Sequence, residues 1–431
     1  MLYFPDNFLI GAATAAHQVE GNNKNSDFWT MEQINPSIFA EPSLNAVDHY
    51  HRYREDIDLL AGAGMNAYRF SIEWARVQPD KDTFDQTEID HYRDMIVYCR
   101  EKGVTPIVTM HHFSSPKWLI KEGGWEAATT ADYFARYCER AVKDLGGLME
   151  YVCTINEANM GLMVAKIAAK QMQAAGMTGS DSPVNTVPTG LSDAASGGME
   201  SLIARMKAMG EAFGLDPRNV HDFMKLRTAQ GDRFIMKAHE KGRDAIKAVC
   251  PNLKTGVTLA LNDIQALPGG EKLAESEQND EFLHYLSYIK NDDFLGVQNY
   301  TRNRIGPEGA VAPPEGAELT QMGSEFYPQS LENIIRYVNK HIALPIIVTE
   351  NGIPTSDDAR RVEFLRLALE GVKRCVDDGL PVKGYCCWSL LDNFEWQLGF
   401  SKTFGLIAVD RATQKRFPKP SLAFLGSYRN K

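Results

Sequence analysis

Short apolar runs rich in β-branched residues recur along the chain, and most are followed by a stretch with the three-to-four-residue spacing of an amphipathic helix. Eight runs read as strands: Phe8 to Thr14, Ala67 to Trp74, Thr105 to His112, Tyr151 to Glu157, Thr255 to Leu261, Phe294 to Thr301, Pro345 to Asn351 and Val382 to Leu391. Helical patterns lie between them at Tyr53 to Ala63, Ile89 to Lys102, Thr130 to Leu145, Asp232 to Val249 and Arg360 to Asp378. Strands that are apolar throughout must be covered on both faces, as in a parallel sheet with crossover helices. No Gly-x-Gly-x-x-Gly turn follows the first strand, which weighs against an open dinucleotide-binding sheet. Eight units in alternation predict an α/β chain folded as a single (β/α)8 TIM barrel, one catalytic domain over residues 1–431.

One stretch interrupts the rhythm. A helical pattern at Met160 to Gln173 runs into a segment rich in Gly, Ser, Thr and Pro, from about Lys170 to Ser201, and a second helical pattern follows at Leu202 to Phe213. The reading is a long insertion after the fourth strand, about residues 160–230, lining or covering a cleft. Nine of the sixteen methionines fall between Met160 and Met236, which suits either irregular packing or an adaptable apolar cover.

Polarity appears where apolar packing would not place it, at the carboxyl ends of the strands. Arg69, Glu73 and Trp74, His111 and His112, Asn156 and Glu157, Asn299 and Tyr300, Glu350 and Asn351, and the stretch Trp388 to Trp396 all stand there. Barrel enzymes build their active sites on that rim.

Composition narrows the chemistry. A formal charge of −10 disfavours nucleic acid and anionic membrane as partners and suits a neutral small molecule. The seven cysteines form no metal-ligand spacing, and Cys386 and Cys387 point to opposite faces of one strand, so they read as buried thiols of a reducing compartment. The N-terminus has no basic region ahead of an apolar segment, and the apolar stretch from Phe8 to Ala16 is too short to span a bilayer, so the expected location is the cytoplasm. His111 and His112 are strand neighbours facing opposite ways, and no cluster implies a metal or organic cofactor. Self-association into a homo-oligomer stays open.

Glycoside hydrolysis needs one carboxylic acid to protonate the leaving oxygen and one carboxylate across the anomeric carbon. Glu157 closes the run Tyr-Val-Cys-Thr-Ile-Asn-Glu and Glu350 closes Pro-Ile-Ile-Val-Thr-Glu, so both reach the same rim. A lone glutamate at a strand end is commonly an ion-pair partner; two of them beside Arg69, His112 and Tyr300 point to a retaining β-glycosidase. Arg69 and Tyr300 would keep Glu350 ionised as nucleophile, and a less polar setting would keep Glu157 protonated as general acid/base. Trp74, Phe113, Trp388, Trp396 and Phe404 are candidate stacking platforms for a sugar ring, and Gln18, His112, Asn156 and Glu395 candidate partners of its hydroxyls.

These motifs resemble glycoside hydrolase family 1, the β-glucosidase family of retaining barrel enzymes, over nearly the whole chain. The matching pieces are FLIGAATAAHQVEG (Phe8 to Gly21), YRFSIEWARVQP (Tyr68 to Pro79), TMHHFSSP (Thr109 to Pro116), TINE (Thr154 to Glu157), DFLGVQNYT (Asp293 to Thr301), VTENG (Val348 to Gly352) and WSLLDNFEW (Trp388 to Trp396). The resemblance implies Glu350 as nucleophile, Glu157 as acid/base, and Tyr300 and Arg69 as partners of the nucleophile. It implies that Gln18, His112, Asn156, Glu395 and Trp396 grip the nonreducing sugar over a platform of Trp388 and Phe404. The implied activity is removal of terminal β-D-glucosyl residues from β-glycosides or short oligosaccharides, with β-galactosides and β-fucosides alongside.

Four positions depart from the family's pattern: Ala158 for Pro, Gln298 for Asn, Ser114 for Asp and Thr403 for Arg. Three rival readings share the frame. A 6-phospho-β-glycosidase is disfavoured by Glu395, whose carboxylate would repel a phosphate, although Ser401 and Lys402 resemble part of a phosphate grip. A sugar-binding protein without chemistry is disfavoured by the presence of both glutamates. A transglycosylase shares the first chemical step with a hydrolase and is not separated from it.

Overall fold

A computed structural model describes residues 4–162 and 198–429. Each of the eight strand patterns forms a strand of one parallel sheet: Leu9–Ala13, Ala67–Ser71, Thr105–His111, Tyr151–Ile155, the pair Lys254–Gly256 and Thr258–Ala260, Leu295–Gln298, Ile346–Asn351 and Val382–Trp388. The strands neighbour one another in chain order, and the last pairs with the first (Gly11 beside Cys386), so the sheet curls back on itself. The fifth strand is broken at Val257. Its first half pairs with the fourth strand (Val152 beside Thr255) and its second half with the sixth (Leu259 beside Val297). Asp293 and Asp292 accept the amides of Thr255 and Val257 at 2.8 and 3.1 Å, fixing the chain on both sides of the break.

Helices cover the outside. The predicted Thr130–Leu145 is observed with those bounds, while Gln86–Glu101, Ala229–Val249 and Asp358–Asp377 begin two or three residues before their apolar periodicity. Their first turns are polar because Asp85, Thr228 and Asp357 cap free amides there. Ala229–Val249 lies tightly against Thr130–Leu145; a Cβ at Gly242 would stand 2.7 Å from the Phe134 ring, so only glycine allows that approach. Most buried apolar side chains fill the layer between strands and helices. A smaller cluster, including Leu9, Ala67, Ile107, Cys153, Phe294 and Cys386, fills the barrel interior.

Cys386 faces that interior and Cys387 the helix layer, as the strand alternation requires. All seven cysteines are free thiols. Gly198–Phe213 realises the second helical pattern of the insertion, whereas most of the Met160 to Gln173 pattern and the Gly/Ser/Thr/Pro-rich segment lie outside the described residues. Among the described residues, no helix is long and apolar enough to cross a membrane, and no group of three or more His, Cys, Asp or Glu is placed to hold a metal ion.

Candidate active site

The polar strand ends converge on one rim. Arg69 shares the second strand with inward-facing Ala67 and is fully buried, so its charge must be met by fixed partners. Its guanidinium donates to Glu350 Oε1 at 2.5 Å, to Asn156 Oδ1 at 2.5 Å, to Thr109 Oγ1 at 3.1 Å and to the Thr349 carbonyl at 3.4 Å. Glu350, on the seventh strand, also accepts from Gln298 Nε2 at 2.8 Å on Oε1 and from the Tyr300 hydroxyl at 2.6 Å on Oε2. Three donors from two other segments, the second strand and the end of the sixth, therefore hold one carboxylate. Burial raises the Glu350 carboxyl above the usual range, and Arg69 and the Tyr300 hydroxyl oppose that rise.

Glu157 sits differently. It follows the fourth strand with a left-handed backbone (φ 45°), anchored by its amide donating to Thr258 Oγ1 at 3.1 Å. Among the described residues, no side chain donates to its carboxyl. Burial pushes that carboxyl well above the usual range, the neighbouring charge of Glu350 adds to the rise, and Arg69 only partly opposes it. Two buried carboxyls that sense each other titrate as a pair, and the donors around Glu350 favour its ionised form over that of Glu157.

The residues expected to bind a sugar gather at the same rim. His112 stacks between Trp388 (5.7 Å) and Trp396 (6.1 Å), and burial followed by the Arg69 charge holds its imidazole well below its usual range, hence neutral. His111 turns the other way onto Trp125 and Phe223, so the two histidines serve opposite faces as expected. Phe113 packs on Trp396 at 5.2 Å, and Phe404 meets the Tyr300 ring edge-on at 6.2 Å. Gln18 is fixed by donating to the Phe394 carbonyl at 2.7 Å and to Asn393 Oδ1 at 3.2 Å. Phe113, Glu157 and Trp396 all have positive φ, a backbone cost of about 1–3 kcal/mol each that commonly gathers at functional sites.

Several polar atoms of these residues are buried without a partner among the described residues: Gln18 Oε1, His112 Nδ1, Asn156 Nδ2 and Gln298 Oε1. Orphaned buried donors and acceptors are costly, at about 1–3 kcal/mol each, and a polyhydroxylated ligand is the kind of group that satisfies many at once. Glu395, at the outer end, has its carboxyl pushed up to about 8 by burial and by the charge of Glu350, against a hydrogen bond from Trp388.

Two expectations change. Trp74 is no platform: the strand ends at Ser71 and the chain turns into the short helix Trp74–Val77, which drives the indole onto Tyr137 at 5.1 Å, 1% exposed in the helix layer. The Ser401 and Lys402 pair is occupied with backbone, Lys402 Nζ donating to the Gln321 carbonyl at 3.0 Å and Ser401 Oγ to that of Leu398 at 2.8 Å. Gln298, known from the sequence only as a departure from the family pattern, and Thr109 and Thr258 also touch the site directly; of the three, only Gln298 stands at a strand's carboxyl end, where polarity is a signal.

A closed parallel barrel whose carboxyl-terminal rim holds one donor-bound carboxyl and one desolvated carboxyl is of the class of two-carboxylate barrel hydrolases. The pattern of Glycosyl hydrolase family 1 matches residues 2–177 and 271–431, and the chain belongs to that family. Among solved structures, the crystal structure of the β-glycosidase BGL167 superposes with a TM-score of 0.88 at 45% identity, covering 99% of this chain and 97% of that one. The 1,4-β-D-glucan glucohydrolase of Thermotoga neapolitana is 29% identical over 98% of this chain and 97% of its own length. The bifunctional β-D-glucosidase/β-D-fucosidase of Bifidobacterium breve is 29% identical over 97% and 96%.

Proposed function

We propose that this protein is a retaining β-glycosidase that removes terminal β-D-glucosyl residues, with β-galactosides and β-fucosides as further substrates. Glu350 is the nucleophile and Glu157 the acid/base. In the first step Glu157 gives its proton to the glycosidic oxygen as Glu350 bonds the anomeric carbon and the aglycone leaves as an alcohol. In the second, the Glu157 carboxylate takes a proton from water as that water displaces Glu350, returning both groups to their starting states. The observation that carries this reading is the asymmetry of the two carboxyls: three donors on Glu350, and on Glu157 a desolvated setting beside a like charge.

Gln18, His112, Asn156, Glu395 and Trp396 grip the glycone, with Trp388, Phe404 and Phe113 as its apolar walls. The glucosidase and fucosidase activities named for the relatives support a pocket tolerant of small changes in hydroxyl pattern. Seven free thiols support action in the cytoplasm, and residues 1–431 act as one catalytic domain.

The test is hydrolysis of aryl β-glucoside, β-galactoside, β-fucoside and 6-phospho-β-glucoside, with the first-formed anomer followed by proton NMR. Turnover of the neutral glycosides with β-glucose appearing first is the expected result. α-Glucose first, or preference for the phosphorylated substrate, would overturn the proposal.

A further inference from the structure

We propose that Gln298 is a positioning residue that locks the nucleophile and the neighbouring amide of Asn156 into one fixed array, and so sets how strongly the enzyme depends on the sugar's 2-hydroxyl. The inference rests on Glu350 acting as nucleophile.

Gln298 ends the sixth strand, 1% exposed, and its side chain links Asn156, which follows the fourth strand, to Glu350 on the seventh. Its amide nitrogen carries two hydrogens and meets two acceptors, Glu350 Oε1 at 2.8 Å and Asn156 Oδ1 at 2.7 Å. Both hydrogens are thereby spent. Asn156 Oδ1 also accepts from Arg69 Nη2 at 2.5 Å and from Thr258 Oγ1 at 3.2 Å. Three donors on one carbonyl oxygen leave that amide a single orientation, with Nδ2 as its free end, buried and without a protein partner among the described residues. Asn156 stands next to Glu157 and shares Arg69 with Glu350, so its free N–H lies beside the reacting pair. The glycone hydroxyl nearest the anomeric carbon is the 2-hydroxyl, and a donor aimed there strengthens as the ring takes on positive charge.

The length of the side chain is what makes the bridge. One methylene fewer, as in asparagine, does not span both acceptors, so a shorter amide holds either the nucleophile or Asn156. The remaining carbonyl oxygen of Gln298 is buried and unpartnered, and it accepts no second orientation of the amide, because a flip would turn an acceptor toward Glu350 and toward Asn156 Oδ1.

The experiment compares the wild type with Gln298→Met, which keeps the length and loses both donors, and Gln298→Asn, which keeps a donor and loses the span. For each, kcat and KM are measured on an aryl β-glucoside and on its 2-deoxy analogue, across pH, with circular dichroism and thermal melting to verify folding. Expected for Gln298→Met is a fall in kcat/KM of about 10- to 100-fold on the glucoside, a smaller fall on the 2-deoxyglucoside, and an acidic limb moved to higher pH because the ionised Glu350 has lost a donor. Gln298→Asn falls between, recovering either the limb or the 2-hydroxyl preference but not both. Equal losses on the two substrates with an unmoved limb in a folded variant would reduce Gln298 to a packing residue and overturn the inference. Failure of the wild type to hydrolyse any neutral glycoside would instead remove the functional reading beneath it.

Discussion

Replacing Tyr300 by phenylalanine removes one atom from the site, and its effects are separable. The Tyr300 hydroxyl is the only donor to Glu350 Oε2 among the described residues, at 2.6 Å, while Arg69 and Gln298 both bind Oε1. Burial, followed by the charge of Glu350, keeps the phenol far above its usual range, so the group is a donor throughout the working pH range. A hydrogen bond to a charged group contributes about 1.5–3 kcal/mol, and about 1.4 kcal/mol corresponds to tenfold in rate. Tyr300→Phe therefore leaves Glu350 held through one oxygen only. The ionised form loses stabilisation, which moves the acidic limb of kcat/KM to higher pH. Above that limb the misdirected carboxylate costs about 10- to 100-fold in kcat/KM, up to the full value of the bond. The assay is a pH profile of nitrophenol release from an aryl β-glucoside, with variant and wild type compared both on the limb and on the plateau. An unmoved limb with an undiminished plateau would refute the reasoning, since it would mean that Tyr300 contributes nothing to either the charge or the direction of Glu350.

Other outcomes follow from the same geometry. Glu157→Gln should abolish the alkaline limb and slow glycosides with poor leaving groups by about 10²- to 10⁴-fold, with much smaller losses in the first step for activated aryl leaving groups, measured by pre-steady-state release. The same variant should be more stable than wild type, and more so at pH 8 than at pH 5. A carboxyl held above its unfolded value binds its proton more tightly in the native state, so wild-type stability declines as pH rises past that unfolded value; melting curves at the two pH values check the sign. Arg69→Met should lower stability by about 3–5 kcal/mol by stranding Glu350, and Glu350→Leu in the same chain should restore part of it, read by denaturant titration. Trp74→Ala should lower stability by about 3–5 kcal/mol while leaving KM near the wild-type value in the folded fraction, as befits a side chain packed on Tyr137 and not in the cleft.

Much of this architecture is legible from residue order because a buried parallel strand has to be apolar throughout and a covering helix has to be apolar along one stripe. What escapes the pattern has physical reasons. The break at Val257 is set by two neighbours that each claim half of one strand, a demand that no local run displays. The small sheet of Asp263–Ala266, Arg302–Gly306 and Gly309–Val311, and the hairpin Ile407–Asp410 with Lys415–Pro418, are short and partly exposed, so polar residues such as Arg302, Arg304 and Lys415 sit in strands and mask them. Trp74 is misplaced because Phe70, Ile72 and Trp74 carry a two-residue apolar alternation past the strand's end at Ser71, and periodicity cannot mark the turn inside it.

The site is legible for a related reason: charge at an apolar strand end has to be explained. Arg69, Glu157, Tyr300 and Glu350 announce themselves in that way. Gln298 does not, since a neutral amide at a strand end is unremarkable until its two acceptors, 52 and 142 residues away in the chain, are brought beside it. Glu395 is legible as a polar residue, but the argument that it repels phosphate as a carboxylate weakens once burial lifts it to about 8. The backbone engagement of Lys402 and Ser401 is the firmer ground for a neutral sugar, because a phosphate dianion needs cationic partners to leave water.

The division of labour between Glu157 and Glu350 is tested most directly by azide rescue of the two alanine variants on an activated aryl β-glucoside. Glu350→Ala opens the face on which the nucleophile stands, and azide entering there is expected to give the α-glucosyl azide. Glu157→Ala still forms the glycosyl-enzyme, and azide is expected to intercept it as the β-glucosyl azide. The reverse pairing of variants and anomers, or rescue of neither variant, would contradict the account.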